Sequence, residues 1–270
     1  MKLASPLFLA GPLFVFAIAT IEAFWLSRKG PYDWREYFAS CGDLSLRILS
    51  GLLPLGLAGS ALFALWDHRV FTMPVHSAWS WVALFLLQDF CYYWMHRADH
   101  RVRWLWATHS AHHSSTALNL SAAFRLGWTA RLSVAPVFFA PLVLIGFSPV
   151  IVGAALAANL LYQFWLHAAW LPRLGVLEWV LNTPAHHRVH HAANPEYIDR
   201  NFGGVLIVFD RWFGTFAAEQ PQIEIRYGLV DAVPSYNPIA IGLREWRGIA
   251  KDLMRARSIR AVGRAMFGAP

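Results

Sequence analysis

Charged residues and cysteines are scarce in this sequence. Only 14% of the 270 residues are charged and 57% are hydrophobic, whereas a soluble domain has roughly 25% charged residues. This deficit excludes an ordinary soluble enzyme, a disordered chain and a collagen-like repeat. The two cysteines, Cys41 and Cys91, are too few for a disulfide scaffold, and Cys91 lies inside an apolar run. The chain does contain 14 tryptophans, a residue favoured where lipid meets water.

The apolar residues gather in five segments that approach the length of a membrane-spanning helix, about 20 residues. We predict spans over residues 3–26, 44–66, 77–95, 132–147 and 150–171. The fourth would be only about 24 Å long, at about 1.5 Å per residue, which favours a short or re-entrant hairpin with the fifth. The sequence therefore predicts an all-α integral membrane fold, a bundle of about four or five transmembrane helices, in a single domain over residues 1–270.

Lysine and arginine are unevenly distributed between these segments. Residues 28–47 carry four of them and residues 97–131 carry five, whereas residues 67–77 carry only Arg69. Because segments rich in Lys and Arg stay in the cytosol, we expect both basic segments on the cytosolic side. Orientation in the membrane thus accounts for the net charge of +7, and we expect no nucleic acid partner.

This orientation predicts a multi-pass membrane protein with a histidine-rich cap in the cytosol. The cap comprises residues 96–131 and 172–242, because two crossings between these segments return the chain to the same side. In residues 243–267, apolar side chains are interspersed with Arg and Lys. That pattern predicts an amphipathic helix lying in the membrane interface.

Ten of the twelve histidines recur at short spacings in or next to this cap. Three boxes read HRADH (96–100), HSAHH (109–113) and HRVHH (187–191). Residues at i, i+3 and i+4 share a helix face, so each box can direct its imidazoles into one volume. The candidate metal ligands are His96, His100, His109, His112, His113, His167, His186, His187, His190 and His191. In this topology His68 and His76 lie on the opposite side of the membrane, outside the site.

Metal coordination explains so many neighbouring histidines. Burying an imidazole without a partner costs on the order of 1–3 kcal/mol, and a neutral ring that binds a metal avoids that cost. Arg97 stands where an H-E-x-x-H zinc protease needs its glutamate. Eight to ten ring nitrogens exceed what one tetrahedral zinc uses. They suit two ions, with neighbours such as His112 and His113 turned toward different ones.

Iron is the favoured metal among those that imidazole binds. It can activate O2, and activated oxygen attacks C–H bonds that are otherwise unreactive. The electrons for this reaction must come from an external donor, because the chain shows no cofactor motif of its own.

The boxes resemble those of the fatty acid hydroxylase/sterol desaturase superfamily of integral-membrane non-haem di-iron oxygenases. Wider segments resemble its alkylglycerol monooxygenases: DFCYYWMHR (89–97), HHSSTALNLS (112–121), NLLYQFWLH (159–167), LNTPAHHRVHH (181–191) and FDRWFGTF (209–216). The resemblance implies that the eight box histidines bind two iron ions, with His167 and His186 as additional ligands. One position departs from it, since Arg101 stands where those enzymes have a glutamate directly after the first box.

The activity implied by the resemblance is O2-dependent hydroxylation of a lipid, with a tetrahydropterin or a redox protein as electron donor. Hydroxylation next to the ether oxygen of an alkylglycerol would yield an aldehyde and a glycerol derivative. The same histidine spacing would also serve hydroxylation of a fatty acyl chain or an aminolipid, or a sterol-type desaturation. A metal transporter without enzymatic activity is the alternative from another class, and it requires ligands along a path through the membrane.

Five polar residues are predicted to hold the metal ligands in place through hydrogen bonds without binding the metal themselves. They are Asp89, Asn159, Gln163, Asp199 and Asp210. Asp89 precedes His96 by seven residues, about 10 Å along the helix axis, so we expect it to contact a ligand from another helix. The two amides form a polar stripe with His167, spaced by four residues. The other two carboxylates belong to the predicted cap.

Overall fold

The computed structural model describes residues 6–52, 57–230 and 232–270, and this part of the chain is helical, without β-strands. The α-helices are α1 (Pro6–Lys29), α2 (Trp34–Gly51), α3 (Leu57–Trp66), α4 (Ala78–Arg101), α5 (Arg103–His113), α6 (Ala140–Ile145), α7 (Pro149–Leu166), α8 (Pro184–His190), α9 (Val208–Trp212), α10 (Pro238–Arg255) and α11 (Ile259–Phe267). Short 3-10 helices cover Leu120–Phe124, Ala135–Phe139 and Gly175–Trp179. The predicted all-α class is confirmed.

Among the described residues, two helices are long and apolar enough to cross a membrane, Gly11–Lys29 within α1 and Pro149–Leu166, which is α7. Most of their side chains do not pack inside the protein, and Ile21 and Val150 are each 67% exposed. Contiguous apolar surface of this kind is unfavourable in water. The two helices therefore need an apolar environment around them.

The predicted span over residues 77–95 lies within the continuous helix α4 apart from its first residue, whereas two other predicted spans differ from the structure. Residues 44–66 are divided between α2, which ends at Gly51, and α3, with residues 53–56 outside the described part. Residues 132–147 hold only a 3-10 helix and the six-residue α6, which stops at Gly146 with φ 124°. That backbone conformation suits glycine, and a side chain there would meet the Phe71 carbonyl. A count of four or five transmembrane helices thus remains a prediction.

Local sequence signals start α7, which carries part of the site, and α10, which packs against α5. The Ser148 side chain accepts a hydrogen bond from the Ile151 amide, and Pro149 opens α7. Asn237 caps α10 in the same way, again with proline as the first helical residue. Such a cap followed by proline satisfies orphan amides and presets the backbone for a helix.

The interfacial helix predicted over residues 243–267 is two helices in the structure, broken at the extended residue Ala256. α10 packs against α2 and α5, where Ile241 and Ile249 are buried. Its apolar face is therefore used to hold the helix of the second histidine box. Both helices still leave large apolar side chains exposed, such as Met254 at 81% on α10 and Ile259 at 92% on α11.

Helices α4 and α7 run side by side in the same direction. Gln88 bonds to Asn159, and one turn further Tyr92 bonds to Gln163, at a constant offset of 71 residues. An apolar cluster that includes Tyr92, Phe139 and Val152 packs behind the pair. Because the helices are parallel, both bring the histidines at their C-terminal ends to the same level.

A buried ion pair fixes the segment that follows the second histidine box. The Arg125 guanidinium is fully buried and pairs with Glu36 of α2. Glu36 also accepts hydrogen bonds from the Thr116 amide and the Ser115 hydroxyl, both at 3.1 Å. These contacts tie α2 to the chain directly after α5.

Candidate metal centre

Four helices deliver histidines to one region of the molecule. α4 contributes the first box near its C-terminal end, α5 the second and α8 the third, while the C-cap of α7 adds His167. Helical spacings of three and four residues turn the side chains of each box to neighbouring positions on one face. The structure brings nine of the ten candidate histidines together, in two groups.

The first group consists of five histidines from α4, α5 and α8. They are His96, His100, His109, His113 and His190, and one ligand nitrogen of each lies within 4.8 Å of those of the others. The Nε2 atom of His109 is 3.1 Å from that of His96 and 3.2 Å from that of His113. Nitrogens that converge in this way can share one metal ion.

The second group consists of four histidines from α5, α7 and α8, namely His112, His167, His187 and His191, all buried and within the same 4.8 Å limit. Their Nε2 atoms converge as well. His187 is 3.1 Å from His167 and 3.0 Å from His191, measured between Nε2 atoms. Four buried nitrogens facing one point suit a second ion.

The two groups are adjacent, and α5 and α8 each contribute to both. His109 and His113 face the first group while His112 faces the second, and in α8 only His190 faces the first. The rings of His113 and His191, one from each group, stack at 4.5 Å between centroids. The geometry is therefore that of a paired site.

Backbone carbonyls select which ring nitrogen points inward. Nδ1 of His96 lies 2.9 Å from the Phe202 carbonyl, Nδ1 of His190 lies 3.0 Å from that of Arg200, and Nδ1 of His167 lies 2.9 Å from that of Gln163. A carbonyl only accepts hydrogen bonds, so each Nδ1 must donate. Nε2 then carries the lone pair and faces the group, as in metal-binding histidines.

The protonation of the rings also fits a metal. Burial lowers the pKa of His96 to about 4, against a weaker opposing effect of the Phe202 carbonyl. Burial lowers the pKa of His100 and His191 well below the usual range, and neighbouring rings act in the same direction. Nε2 of His100 and of His190 are buried and have no hydrogen-bond partner. Neutral rings with unpaired buried nitrogens are the donor set that a metal ion satisfies.

His186 lies apart from both groups, although the resemblance implies that it is an additional ligand. Its ring packs against Phe216 at 5.4 Å between centroids, and its Nδ1 is buried without a partner. Burial lowers the pKa of His186 to about 4. Successive helical residues diverge by about 100°, so when His187 faces the second group, His186 faces away from it. His68 and His76 belong to neither group.

The predicted supporting residues on α4 and α7 form one buried chain. Asn159 donates to Asp89 at 2.7 Å and to Gln88 at 3.0 Å, and Gln163 donates to Asn159 at 2.6 Å. The Gln163 carbonyl in turn accepts from His167. Asp89 does not touch a histidine; it accepts hydrogen bonds from the amides of residues 205 and 206 and thereby holds the loop that carries Phe202.

The two carboxylates of the predicted cap act on the same loop. Asp210 accepts from the amides of Phe202 and Gly203, both at 2.7 Å, and burial raises its pKa to about 6. Asp199, with φ 61°, pairs with Arg101 at 2.9 Å and lies 3.7 Å from Nδ1 of His100. Arg101 is thus neutralised beside the first box.

Sequence reasoning missed the two carbonyls, of Phe202 and Arg200, that orient His96 and His190. Every residue has a carbonyl, so the side chains give no signal for this role. A partial signal existed in Asn201 between them, whose φ of 58° is uncommon outside glycine. An asparagine tolerates this conformation better than most residues.

The described part of the chain is all-helical and gathers nine histidines into two adjacent groups, each of which could hold a metal ion. Residues 81–215, half of the chain, match the fatty acid hydroxylase family, and the chain belongs to that family. The matched range contains ten of the twelve histidines, all but His68 and His76; it begins before the first box and ends after the third.

Several known relatives carry the same name. Alkylglycerol monooxygenase from Homo sapiens is 38% identical over 242 residues, which cover 89% of this chain and 53% of the relative. The protein of that name from Danio rerio is 40% identical over 230 residues, covering 84% and 51%. The one from Caenorhabditis elegans is 33% identical over 249 residues, covering 87% and 48%. The chain spans about half the length of these curated relatives. No solved structure matches the chain significantly.

Proposed function

We propose that this chain is a membrane-bound, non-haem di-iron oxygenase that hydroxylates a lipid with O2. The observation that carries the proposal is the pair of histidine groups, five and four residues, whose Nε2 atoms converge. Membership of the fatty acid hydroxylase family and the name of the relatives support the lipid and monooxygenase parts of it. The ten predicted ligands reduce to nine in this proposal, since His186 lies apart.

In this proposal the histidines hold the metal ions, and other residues of the chain orient the histidines. Two iron ions bound by these groups would supply the activation of O2. The neutral, buried imidazoles supply nitrogen donors without added charge. The carbonyls of Phe202, Arg200 and Gln163 keep three rings in the tautomer that presents Nε2. Asp89 and Asp210 hold the loop on which one of these carbonyls depends.

We propose a multi-pass protein whose histidine centre faces the cytosol. The support is the apolar surface of α1 and α7 together with the uneven distribution of Lys and Arg along the sequence. The partners are then the membrane, a lipid substrate, O2 and an external electron donor, either a tetrahydropterin or a redox protein.

The substrate proposed first is an alkylglycerol ether, after the name of the relatives. Hydroxylation of the carbon next to the ether oxygen gives a hemiacetal, which separates into an aldehyde and a glycerol derivative. Hydroxylation of another lipid, such as a fatty acyl chain or an aminolipid, uses the same centre and is the alternative.

The test is metal and product analysis of the purified membrane-embedded protein. We expect about two irons per chain, as two imidazole-rich sites imply, O2 consumption and release of aldehyde from an alkylglycerol. His112→Ala should abolish the activity, whereas His68→Ala should leave it intact. Exchangeable zinc without O2 consumption would instead indicate a transporter or store. Unchanged ether lipids with loss of another hydroxylated lipid in cells would overturn the substrate.

A further inference from the structure

A groove of about 390 Å³ lies between α4 and α7, on the membrane side of the histidine centre. One face of α4 lines it with Trp81, Phe85 and Gln88, spaced as successive turns of a helix. An engineered apolar cavity of about 150 Å³ is enough to hold benzene. The groove therefore has room for a stretch of hydrocarbon chain.

Small residues on α7 keep the groove open. Ala154, Ala155 and Ala158 lie opposite the larger side chains of α4. Leucine or phenylalanine at these positions would fill the space that the alanines leave. This part of the groove is apolar and opens sideways between two helices, as a site filled from the bilayer would.

The end of the groove nearest the histidine centre is polar. Gln88 and Asn159 line it, and both are almost completely buried. The Asn159 amide is satisfied by Gln88 Oε1 and Asp89, and the Tyr162 hydroxyl donates to the Asn182 carbonyl. Gln88 is 2% exposed as a residue, and its buried Nε2 atom has no hydrogen-bond partner. A buried amide donor without an acceptor is unfavourable, and an oxygen bound in the groove would satisfy it.

The lining residues also define the charge of the occupant. Among the described residues that line the groove there is no charged side chain. A carboxylate or phosphate would therefore lose its hydration without gaining a counter-charge. An alcohol, ether or ester oxygen has no such cost and accepts the hydrogen bond that Gln88 offers.

The groove is separate from the histidine groups. Gln88 precedes His96 by eight residues, about 12 Å along α4, so an oxygen held by Gln88 is not at the metal ligands. The two are connected, because the hydrogen bonds from Gln88 through Asn159 and Gln163 end at His167.

We propose that this groove is a binding site for an uncharged, single-chain lipid, whose hydrocarbon chain lies along Ala154, Ala155 and Ala158 and whose terminal oxygen accepts a hydrogen bond from Gln88. It holds the lipid at the membrane side of the centre, outside the position of reaction. The inference rests on the membrane location in the proposed function and not on the oxygenase reaction.

The test is photolabelling of the full chain in lipid nanodiscs without O2. The probe is a long-chain alcohol with a diazirine in its chain, and excess unlabelled alcohol serves as competitor. We expect saturable labelling of α4 and α7 near the groove. Ala158→Leu should weaken it about 10-fold by filling the space, and Gln88→Leu should do so by removing the donor. In Gln88→Leu, Asn159 keeps its hydrogen bond to Asp89, so the floor of the groove persists.

Ala157→Leu is the matched control, because Ala157 lies one residue away on the exposed surface of α7 and outside the groove. Equal labelling of the Ala157→Leu and Ala158→Leu proteins, or labelling that excess alcohol does not reduce, would overturn the proposal. A fatty acid with the same diazirine, ionised at its carboxyl group, is a second probe, and preferential labelling by this probe would also overturn the proposal. Since no turnover occurs, these results are independent of whether the chain is an oxygenase.

Discussion

At the scale of single residues, the tautomer of each histidine decides what it can do. A ring whose Nδ1 donates to a carbonyl has its other nitrogen free as a ligand. His96, His167 and His190 are set in this way by the backbone. The side chains behind them therefore influence the centre without touching it, by fixing where those carbonyls lie.

The neighbours His186 and His187 give a sharp test of the ligand assignment. His187→Ala removes one of four nitrogens from the second group. Loss of a residue that only hydrogen-bonds a metal ligand typically lowers metal affinity about 10-fold or more, so we expect the iron affinity of the second group to fall by at least about 10-fold. His186→Ala should retain the iron of the wild-type chain, because His186 faces Phe216 instead. Iron per chain in the two purified variants is the measurement. Comparable iron loss in both would place His186 among the ligands.

The sequence predicted much of the centre at this scale. Helical periodicity predicted that the neighbours His112 and His113 face two different ions, and in the structure they belong to different histidine groups. The same periodicity could not exclude His186, because nothing in the sequence states which face of the short α8 is turned inward. Nor could it indicate Phe202, which takes part through its carbonyl alone.

At the scale of elements, the contacts between helices differ from what hydropathy suggests. An apolar stretch over residues 44–66 predicts one span, but its helix stops at Gly51. The amphipathic pattern of residues 243–267 predicts contact with a membrane surface, but α10 uses its apolar face to pack on α5 and α2. Periodicity shows that a face is apolar; it does not show what covers that face.

The contact between α2 and the segment after α5 depends on a buried charge. Arg125→Met would leave Glu36 buried without its partner, so we expect about 3–5 kcal/mol of destabilisation. Adding Glu36→Gln should recover part of it, since the remaining partners of Glu36 are hydrogen-bond donors. Thermal unfolding in detergent measures both.

Another pair on α2 is the control for this prediction. Arg35 pairs with Asp33 on the surface, and its side chain is 70% exposed. Arg35→Met should leave the Tm unchanged, because solvent screens an exposed pair. A drop as large as that of Arg125→Met would mean that the loss of an arginine, and not its burial, causes the effect.

At the scale of the whole molecule, the histidine centre joins parts of the chain that are far apart in sequence. α4, α5, α7 and α8 meet there, from His96 to His191. Ions that bind these helices only in the folded state would stabilise the fold, by an amount that grows with the logarithm of their affinity. The centre is thus expected to be structural as well as catalytic.

Chelation of the metal should therefore lower the Tm as well as the activity. Ligand at about 1,000 times its Kd contributes about 4 kcal/mol to a folded state that alone binds it. Unfolding of the loaded, chelated and reloaded protein gives the measurement, and reloading should restore the Tm. His68→Ala should show the full shift and His112→Ala a reduced one. An identical Tm before and after chelation would contradict a structural role.

Because α5 and α8 each contribute histidines to both groups, the number of residues between those histidines is restricted as well as their identity. One residue inserted between His109 and His112 would rotate everything beyond it by about 100°. His112 and His113 would then both leave the groups that they face. A single-residue deletion in α8 between His187 and His190 has the same consequence. The boxes can exchange many side chains at their intervening positions, yet the number of those positions is fixed.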